Sequence, residues 1–343
     1  MMTERARVGI IGMGRMGKRH LEAYLRNADV YVEACCDAKP GALDFLETRG
    51  VHCRKYSDWH KMLQDESLNL LSVVTNGPTH AEITIEAAKA KIPRIICEKP
   101  MATSIRAAEQ MIEATQKSGT RLAINYSRRW SKDYIALKER LQSGAIGKLC
   151  EMHFVCGGGL LACNGSHFFD LMRFLSGSEP NEAVGFIDKT GTPNPRGAEF
   201  TDPGGYGLVK FQNQMRGIVD MNEDLGIPPK IEIVGSIGRV LIDEVKNMWT
   251  MAAREGNDRS APLGKYDLPL VEHPIPSEPL DPTKLVELTI KQVLGNDEIS
   301  CTGTDGLASL QMVMAFHASD REGNMPLPLP IPAKFYGMVV NFT

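Results

Sequence analysis

The chain has 343 residues, 39 Lys and Arg against 42 Asp and Glu, and a formal charge of -3. That length exceeds one ordinary hydrophobic core and fits two domains. Acids and bases are interspersed, so there is no basic field to hold a phosphate backbone, and nucleic acid is excluded as an expected partner.

In chain order, the first apolar run, Val8 to Ile11, is interrupted by glycine well short of a signal-peptide core or a membrane span, so no membrane association and a cytoplasmic setting are expected. Up to Asn125 the sequence alternates aliphatic runs with helical segments. Arg7 to Ile11, Val30 to Asp37, Val51 to Lys55, Leu70 to Thr75, Arg94 to Cys97 and Arg121 to Asn125 read as strands. Between them Leu21, Tyr24, Leu25 and Ala28, and then Ile83, Ala87 and Ala90, recur at helical spacing and predict apolar stripes facing a sheet. Six strands with crossover helices make a doubly wound α/β domain over 1-125.

After Asn125 the pattern changes. A helix over Lys132 to Gln142 leads into Lys148 to Val155, Tyr206 to Phe211, Met215 to Met221 and Lys230 to Asp243, strand-like stretches separated by Gly- and Pro-rich turns. Consecutive strands without crossover helices predict an α+β domain over 126-343 with a large open, mainly antiparallel sheet. Ala261 to Pro282 carries six prolines and reads as an irregular excursion, followed by helices over Thr283 to Leu294 and Thr304 to Ala318. The eight cysteines, at 35, 36, 53, 97, 150, 156, 163 and 301, show neither a Cys-x-x-Cys pair nor zinc-ligand spacing, so free thiols and no metal are expected.

The candidate cofactor site begins at Gly12-Met13-Gly14-Arg15-Met16-Gly17, between the first strand and the first helix, where backbone N-H groups face a pyrophosphate at the positive end of a helix. Asp37, 25 residues past Gly12 and at the end of the second strand, is placed to bind the ribose diol. A carboxylate there repels a 2'-phosphate, which favours NAD, while Lys39 leaves NADP possible. Thr75, Asn76, Pro78 and His80 follow the fourth strand, at the carboxyl edge where ligands of parallel sheets bind; His80 reads equally as an exposed residue of a helix's first turn. Glu98 and Lys99 end the fifth strand and join the cofactor contacts. An ammonium at Lys99 can orient a substrate hydroxyl and offset charge developing on its oxygen.

Gly12-Met-Gly-Arg-Met-Gly17, Thr75-Asn-Gly-Pro-Thr-His80, Glu98-Lys99-Pro100, Tyr126-Ser-Arg-Arg-Trp130, Gly157-Gly-Gly159 and Asn164-Gly-Ser-His-Phe-Phe-Asp170 occur in this order. Together they resemble the glucose-fructose oxidoreductase, inositol dehydrogenase and MocA family over nearly the whole chain. The resemblance implies an NAD(P)-dependent oxidoreductase acting on a secondary alcohol or ketone of a sugar, sugar derivative or cyclitol. It implies that Lys99 is catalytic, that Lys99-Pro100 is cis, that His167 is the acid/base group, and that the open sheet supports a homodimer or homotetramer. Substrate would lie between the Rossmann domain and the open sheet face, with Lys99, Tyr126, Arg128, Cys163, Asn164 and His167 as its contacts.

His167 stands at the start of a predicted helix with Phe168, Leu171, Met172 and Leu175 on its apolar face and Asn164 or Ser166 as its cap. Proximity to a helix N-terminus favours the neutral imidazole. The family commonly has an aspartate four residues before this histidine; Cys163 takes that place here, and a thiol is a poor substitute for a carboxylate. Asn164 offers a neutral hydrogen bond instead. Two rival readings follow: redox-assisted hydrolysis or elimination with the cofactor regenerated within the cycle, and a cofactor-binding sensor without catalysis.

Overall fold

The structure, a computed structural model, describes residues 5-191 and 193-342. Two compact units are present. One comprises Met1–Trp130, Asp281–Leu310 and Gly337–Thr343, the other Ser131–Leu280 and Gln311–Tyr336.

The first unit is built on six strands: β1 (Ala6–Ile11), β2 (Val30–Cys36), β3 (Arg54–Tyr56), β4 (Leu70–Val73), β5 (Arg94–Cys97) and β6 (Arg121–Ile124). All pairings among them are parallel and the order is β3-β2-β1-β4-β5-β6. Central strands β1, β4 and β5 are nearly continuous aliphatic runs because a parallel sheet is covered on both faces. The connecting helices are α1 (Arg15–Leu25), α2 (Asp44–Thr48), α3 (Trp59–Asp65), α4 (Gly77–Lys89) and α5 (Ile105–Ser118). Local chemistry sets their ends: Ser104 caps α5 by accepting from the Ala107 N-H at 3.2 Å, and Gly119 closes it at φ +72°.

The stripe on α1 differs from the expected one. Gly17, His20, Leu21, Ala23 and Tyr24 are buried, whereas Leu25 and Ala28 are exposed. The buried face therefore contains a histidine, which a purely apolar periodicity passes over. On α4, Ile83 and Ala87 are buried and Ala90, at the C-cap, is exposed.

The second unit holds α6 (Lys132–Gln142), β7 (Leu149–Val155), α7 (Ser166–Ser176), β8 (Pro180–Ile187), β9 (Gly205–Phe211), β10 (Arg216–Asp220), β11 (Lys230–Gly235), β12 (Gly238–Asp243), β13 (Met248–Ala253) and β14 (Val271–Ile275). Helix α8 (Pro282–Leu294) returns to the first unit, α9 (Gly303–Arg321) is shared between the two, and β15 (Leu327–Pro328) is an edge strand of the second. The sheet order is β14-β13-β12-β11-β7-β10-β9-β8-β15, antiparallel except for β7 against β10. Strict alternation on β7 buries Met152 and Phe154 and leaves Glu151, His153 and Val155 half-buried on the other face. One face of this sheet is thus a core and the other is open.

Three expectations need correction. The strand expected over Val51 to Lys55 narrows and shifts to the short strand β3, Arg54–Tyr56. Lys230 to Asp243 is not one strand but the hairpin β11-β12, turning at Ser236 and Ile237. The proline-rich excursion contains β14: Pro274 pairs opposite Thr250, and an edge strand tolerates proline because half of its N-H groups need no ladder partner. Among the described residues no disulfide is present, and six of the eight cysteines are buried. Among the described residues no helix is long and apolar enough to cross a membrane.

Helix α8 explains why Asp281–Leu310 belongs with the parallel sheet. Asp281 caps it by accepting from the Thr283 N-H at 2.9 Å and the Lys284 N-H at 3.3 Å, and Pro282 starts it. Its buried face, Leu285, Val286, Thr289, Ile290 and Val293, packs on α1, β5 and β6. Beyond it, Thr302 bridges Ala123 and covers the free edge of β6.

Candidate active site

In the first unit the turn after β1 has the steric character of a dinucleotide cradle. Gly12 sits at φ +98°, and a Cβ there would lie 2.6 Å from the Val74 carbonyl oxygen; a Cβ on Gly17 would lie 2.0 Å from the Gly12 carbonyl. Gly14 faces open space, and no side chain caps α1, so its leading N-H groups are left for an anion. Arg15 is exposed and Met16 half-buried at the same end. The Asp37 carboxylate accepts from the Met13 N-H at 2.6 Å through Oδ2 and from the Lys39 N-H at 2.8 Å through Oδ1. It is held over the glycine turn with lone pairs to spare for a diol. These residues fit an NAD pyrophosphate and adenosine ribose.

At the carboxyl edge beyond β4, Asn76 and Pro78 are exposed and Thr75 is half-buried, its hydroxyl accepting from Thr79 at 2.7 Å. His80 is different. It is 1 % exposed, with Nδ1 2.8 Å from the Pro100 carbonyl and Nε2 3.0 Å from the Thr75 carbonyl, and burial pushes its pKa down. Its ring holds the turn after β4 to the turn after β5 instead of facing a ligand. The Lys99-Pro100 bond is cis.

Behind Lys99 lies a buried polar chain that the sequence reading missed. His20 Nε2 is 3.3 Å from Glu98 Oε1, and the Asn125 amide donates to the same oxygen at 2.6 Å. His20 Nδ1 is 2.9 Å from the Ser72 hydroxyl, itself 2.7 Å from the Tyr24 hydroxyl. Burial pushes the Glu98 carboxyl up, but the hydrogen bond and charge of His20, the charge of Lys99 and the Asn125 amide outweigh it and hold the pKa at about 2. Lys99 is half-buried, and its backbone N-H points at Glu98 Oε2 at 3.4 Å. The available signal was His20 three residues after Gly17, on the face of α1 that also carries Leu21 and Tyr24.

Tyr126 is 1 % exposed and Arg128 half-buried. Their neighbours turn inward: Arg129 donates to the Ser300 carbonyl at 2.9 Å and pairs with Asp305 at 3.3 Å, and the Trp130 indole donates to Gln292 at 2.8 Å. These two side chains fasten the α8-α9 segment to the parallel-sheet unit.

In the second unit, a π-helical turn over Leu161–Gly165 runs directly into α7. Phe168, Leu171, Met172 and Leu175 are buried as the periodicity predicts. Neither Asn164 nor Ser166 caps the helix. The capping carboxylate is Asp202, which is 5 % exposed and accepts from the Ala162 N-H at 2.7 Å and the Cys163 N-H at 2.8 Å. His167 is half-buried and lies more than a turn inside this helical run, so the dipole argument for its neutral form does not apply: the terminus is earlier and already carries an anion. Cys163 is fully buried and Asn164 half-buried. Nothing in the local sequence around His167 pointed to Asp202, which arrives from the segment before β9.

The parallel sheet, the glycine cradle and the acid closing β2 define a dinucleotide-binding Rossmann protein. The chain belongs to the Gfo/Idh/MocA family. The pattern described as the oxidoreductase family with NAD-binding Rossmann fold matches residues 6–126, and that of the GFO/IDH/MocA C-terminal domain matches residues 153–241. The chain is 28% identical to a myo-inositol 2-dehydrogenase of Thermotoga maritima, over 74% of this chain and 80% of that one. It is 25% identical to the oxidoreductase YrbE of Bacillus subtilis, over 93% of this chain and 95% of the relative. The WlbA dehydrogenase of Bordetella pertussis, solved with NADH and UDP-GlcNAcA, shares the fold at a TM-score of 0.76, with 21% identity over 97% of this chain and 100% of that one.

Proposed function

We propose that this protein is an NAD-dependent dehydrogenase that interconverts a secondary alcohol and ketone on a sugar, sugar derivative or cyclitol, with NADP as a weaker alternative cofactor. The observation that carries the reading is the position of Lys99: it is half-buried at the carboxyl end of β5, in the same unit as the glycine cradle, with the carboxylate of Glu98 behind it. Relatives named for inositol 2-dehydrogenation support a polyhydroxylated substrate.

In this reading bound NAD supplies the hydride acceptor, C4 of its nicotinamide. Asp37 holds the adenosine ribose diol, and the N-H groups opening α1 hold the pyrophosphate. Lys99 donates hydrogen bonds to the substrate oxygen and offsets charge that grows on it as the C-H bond breaks. His167 removes the hydroxyl proton and returns it in the reverse direction. Arg128 and Asn164 orient neighbouring hydroxyls. Asp202 caps the turn through the Ala162 and Cys163 N-H groups and keeps a carboxylate beside the position where the family's aspartate is replaced by a thiol. We also infer self-association through the open face of the second sheet.

The test is a panel of sugars and cyclitols, myo-inositol included, read by absorbance of the reduced cofactor. Lys99→Ala is expected to lose about 10²–10⁴ in kcat/KM while NADH affinity, read by fluorescence, stays within a few-fold. Wild-type turnover in this variant would remove the proposed chemical centre.

A further inference from the structure

We infer that Phe342, on the returning segment 337–342, is a positioning residue of the cofactor site: seated against Gly77, it pins the turn after β4 to the turn after β5 that leads on from Lys99. Its consequence for the cofactor rests on the reading proposed above; the brace itself is a property of the folded chain.

The segment is irregular, but its burial alternates. Met338, Val340 and Phe342 are buried, Phe342 fully, while Val339 is 61 % exposed. The Val340 N-H donates to the Thr103 carbonyl at 3.1 Å, and the Phe342 N-H closes a tight turn on the Val340 carbonyl at 3.0 Å. Thr103 is a firm anchor, because the next residue, Ser104, caps α5. The tight turn delivers the Phe342 carbonyl to the first residue of α4. That end of α4 is its positive pole and carries no side-chain cap, so a carbonyl oxygen is favoured there. A Cβ on Gly77 would lie 2.7 Å from the Phe342 oxygen and 3.7 Å from its ring, and the three nearest atoms all belong to Phe342. Gly77 is not in the left-handed region, so its own backbone would accept a side chain. Glycine is required here by the approach of Phe342.

His80 makes a second tie alongside the first, with its ring between the Thr75 carbonyl at 3.0 Å and the Pro100 carbonyl at 2.8 Å. The two turns are thus joined twice, Thr75 to Pro100 through His80 and Gly77 to Thr103 through the strap. In the sheet order β2-β1-β4-β5, a dinucleotide held by Asp37 after β2 and by the glycine turn after β1 reaches Lys99 after β5 only across the turn after β4. Asn76 and Pro78, the exposed residues of that turn, flank Gly77 and take their placement from it. Thr75 is held separately, by His80 and by its backbone against Gly12. Freeing the strap therefore loosens the nicotinamide side of the turn and leaves the pyrophosphate cradle in place.

The test uses the full-length chain throughout and two ligands: NADH, read by its fluorescence, and ADP-ribose, which lacks the nicotinamide ring, read by titration calorimetry. Gly77→Ala drives a methyl into the Phe342 carbonyl and is expected to weaken NADH about tenfold, the scale of fixing one residue's backbone on binding, with ADP-ribose held within about twofold. Val340→Pro and Phe342→Ala together remove the Thr103 bond and the buried ring, and should give the same selective loss. Added to that released strap, Gly77→Ala should bring no further loss, because the neighbour it meets has been freed. Circular dichroism checks that each variant folds. Parent NADH affinity in either variant, equal losses for both ligands, or a further loss when Gly77→Ala joins the released strap overturns the inference. If the released variant does not fold, Gly77→Ala alone decides by the same pair of ligands. A parent protein that binds neither ligand would instead sink the cofactor reading; the brace is then read from the same variants by thermal unfolding, where non-additive Tm losses support it and additive ones overturn it.

Discussion

Asp202 does at the start of the Leu161–Gly165 turn what Ser104 and Asp281 do for α5 and α8 from within their own sequence: it accepts N-H groups that a helix start cannot pair internally. Because both oxygens are used and the group is buried, Asp202→Ala leaves two N-H donors without an acceptor. A lost cap costs about 0.5–2 kcal/mol, and a buried donor left unsatisfied about 1–3 kcal/mol. Differential scanning calorimetry is expected to show the Tm of the second unit lowered by roughly 5–10 °C, at about 2–4 °C per kcal/mol for a unit of about 150–250 residues. Asp202→Asn, which keeps one acceptor, should fall between. A wild-type Tm for Asp202→Ala would mean that the carboxylate is not holding this turn. The comparison also marks what was legible at the residue scale. Gly12, Gly17, Asp37 and Lys99 could be picked out because each is fixed by its immediate neighbours, a turn or a strand end. Asp202, Asn125 and Ser72 could not, since their roles exist only once distant segments meet. His80 shows the converse: its position after β4 was legible, but the two backbone carbonyls that enclose its ring were not.

At the scale of elements, hydrophobic period and punctuation located β1, β5, α6 and α8 nearly to the residue, because each has a clean pattern with a glycine, proline or cap at its ends. The failures have physical reasons. Strand β8 lies between turns with little alternation, and β14 contains a proline that only an edge accepts. Helix α8 was found, but which sheet it covers was not, since an amphipathic stripe does not name its partner. That partner matters. Leu285, Val286, Ile290 and Val293 are buried on α1, β5 and β6, at roughly 1.5–3 kcal/mol each, which together rival the ~5–15 kcal/mol net stability of a whole domain. Phe342, fully buried with its carbonyl against Gly77, adds a second returning segment. A chain shortened to end at Trp130 is therefore expected to aggregate or to bind a hydrophobic dye without a cooperative thermal transition, even though it keeps all six parallel strands. Recovery of a soluble monomer that unfolds cooperatively and binds NADH like the full chain would show that α8 contributes little.

For the whole molecule, the surface left to explain is the open face of the nine-stranded sheet. It is neither a core nor an ordinary solvated face. Tyr206 stacks on Phe186 with centroids 4.8 Å apart while remaining 45 % exposed, and towards the other edge of the sheet Leu241 and Met248 are exposed on the paired strands β12 and β13. A groove of about 460 Å³ runs there, lined among others by His153, Val155, Leu241, Met248 and Thr250. Ion pairs such as Arg216 with Glu151, at 3.1 Å, lie across the same face. Scattered single apolar residues need no partner, but apolar side chains on adjacent strands with a charged surround have the composition of an interface. A stable contact needs about 800 Å² from each copy, which a sheet of nine strands can supply without rearrangement, and a two-fold arrangement would place each groove against its twin. Light scattering on the eluting peak is therefore expected to give at least twice the chain mass at micromolar concentration. Replacing Leu241 with arginine puts like charges face to face across the axis and should return the chain mass. A parent protein that elutes as a single chain would leave this face without a partner of its own kind and end the case for self-association through it.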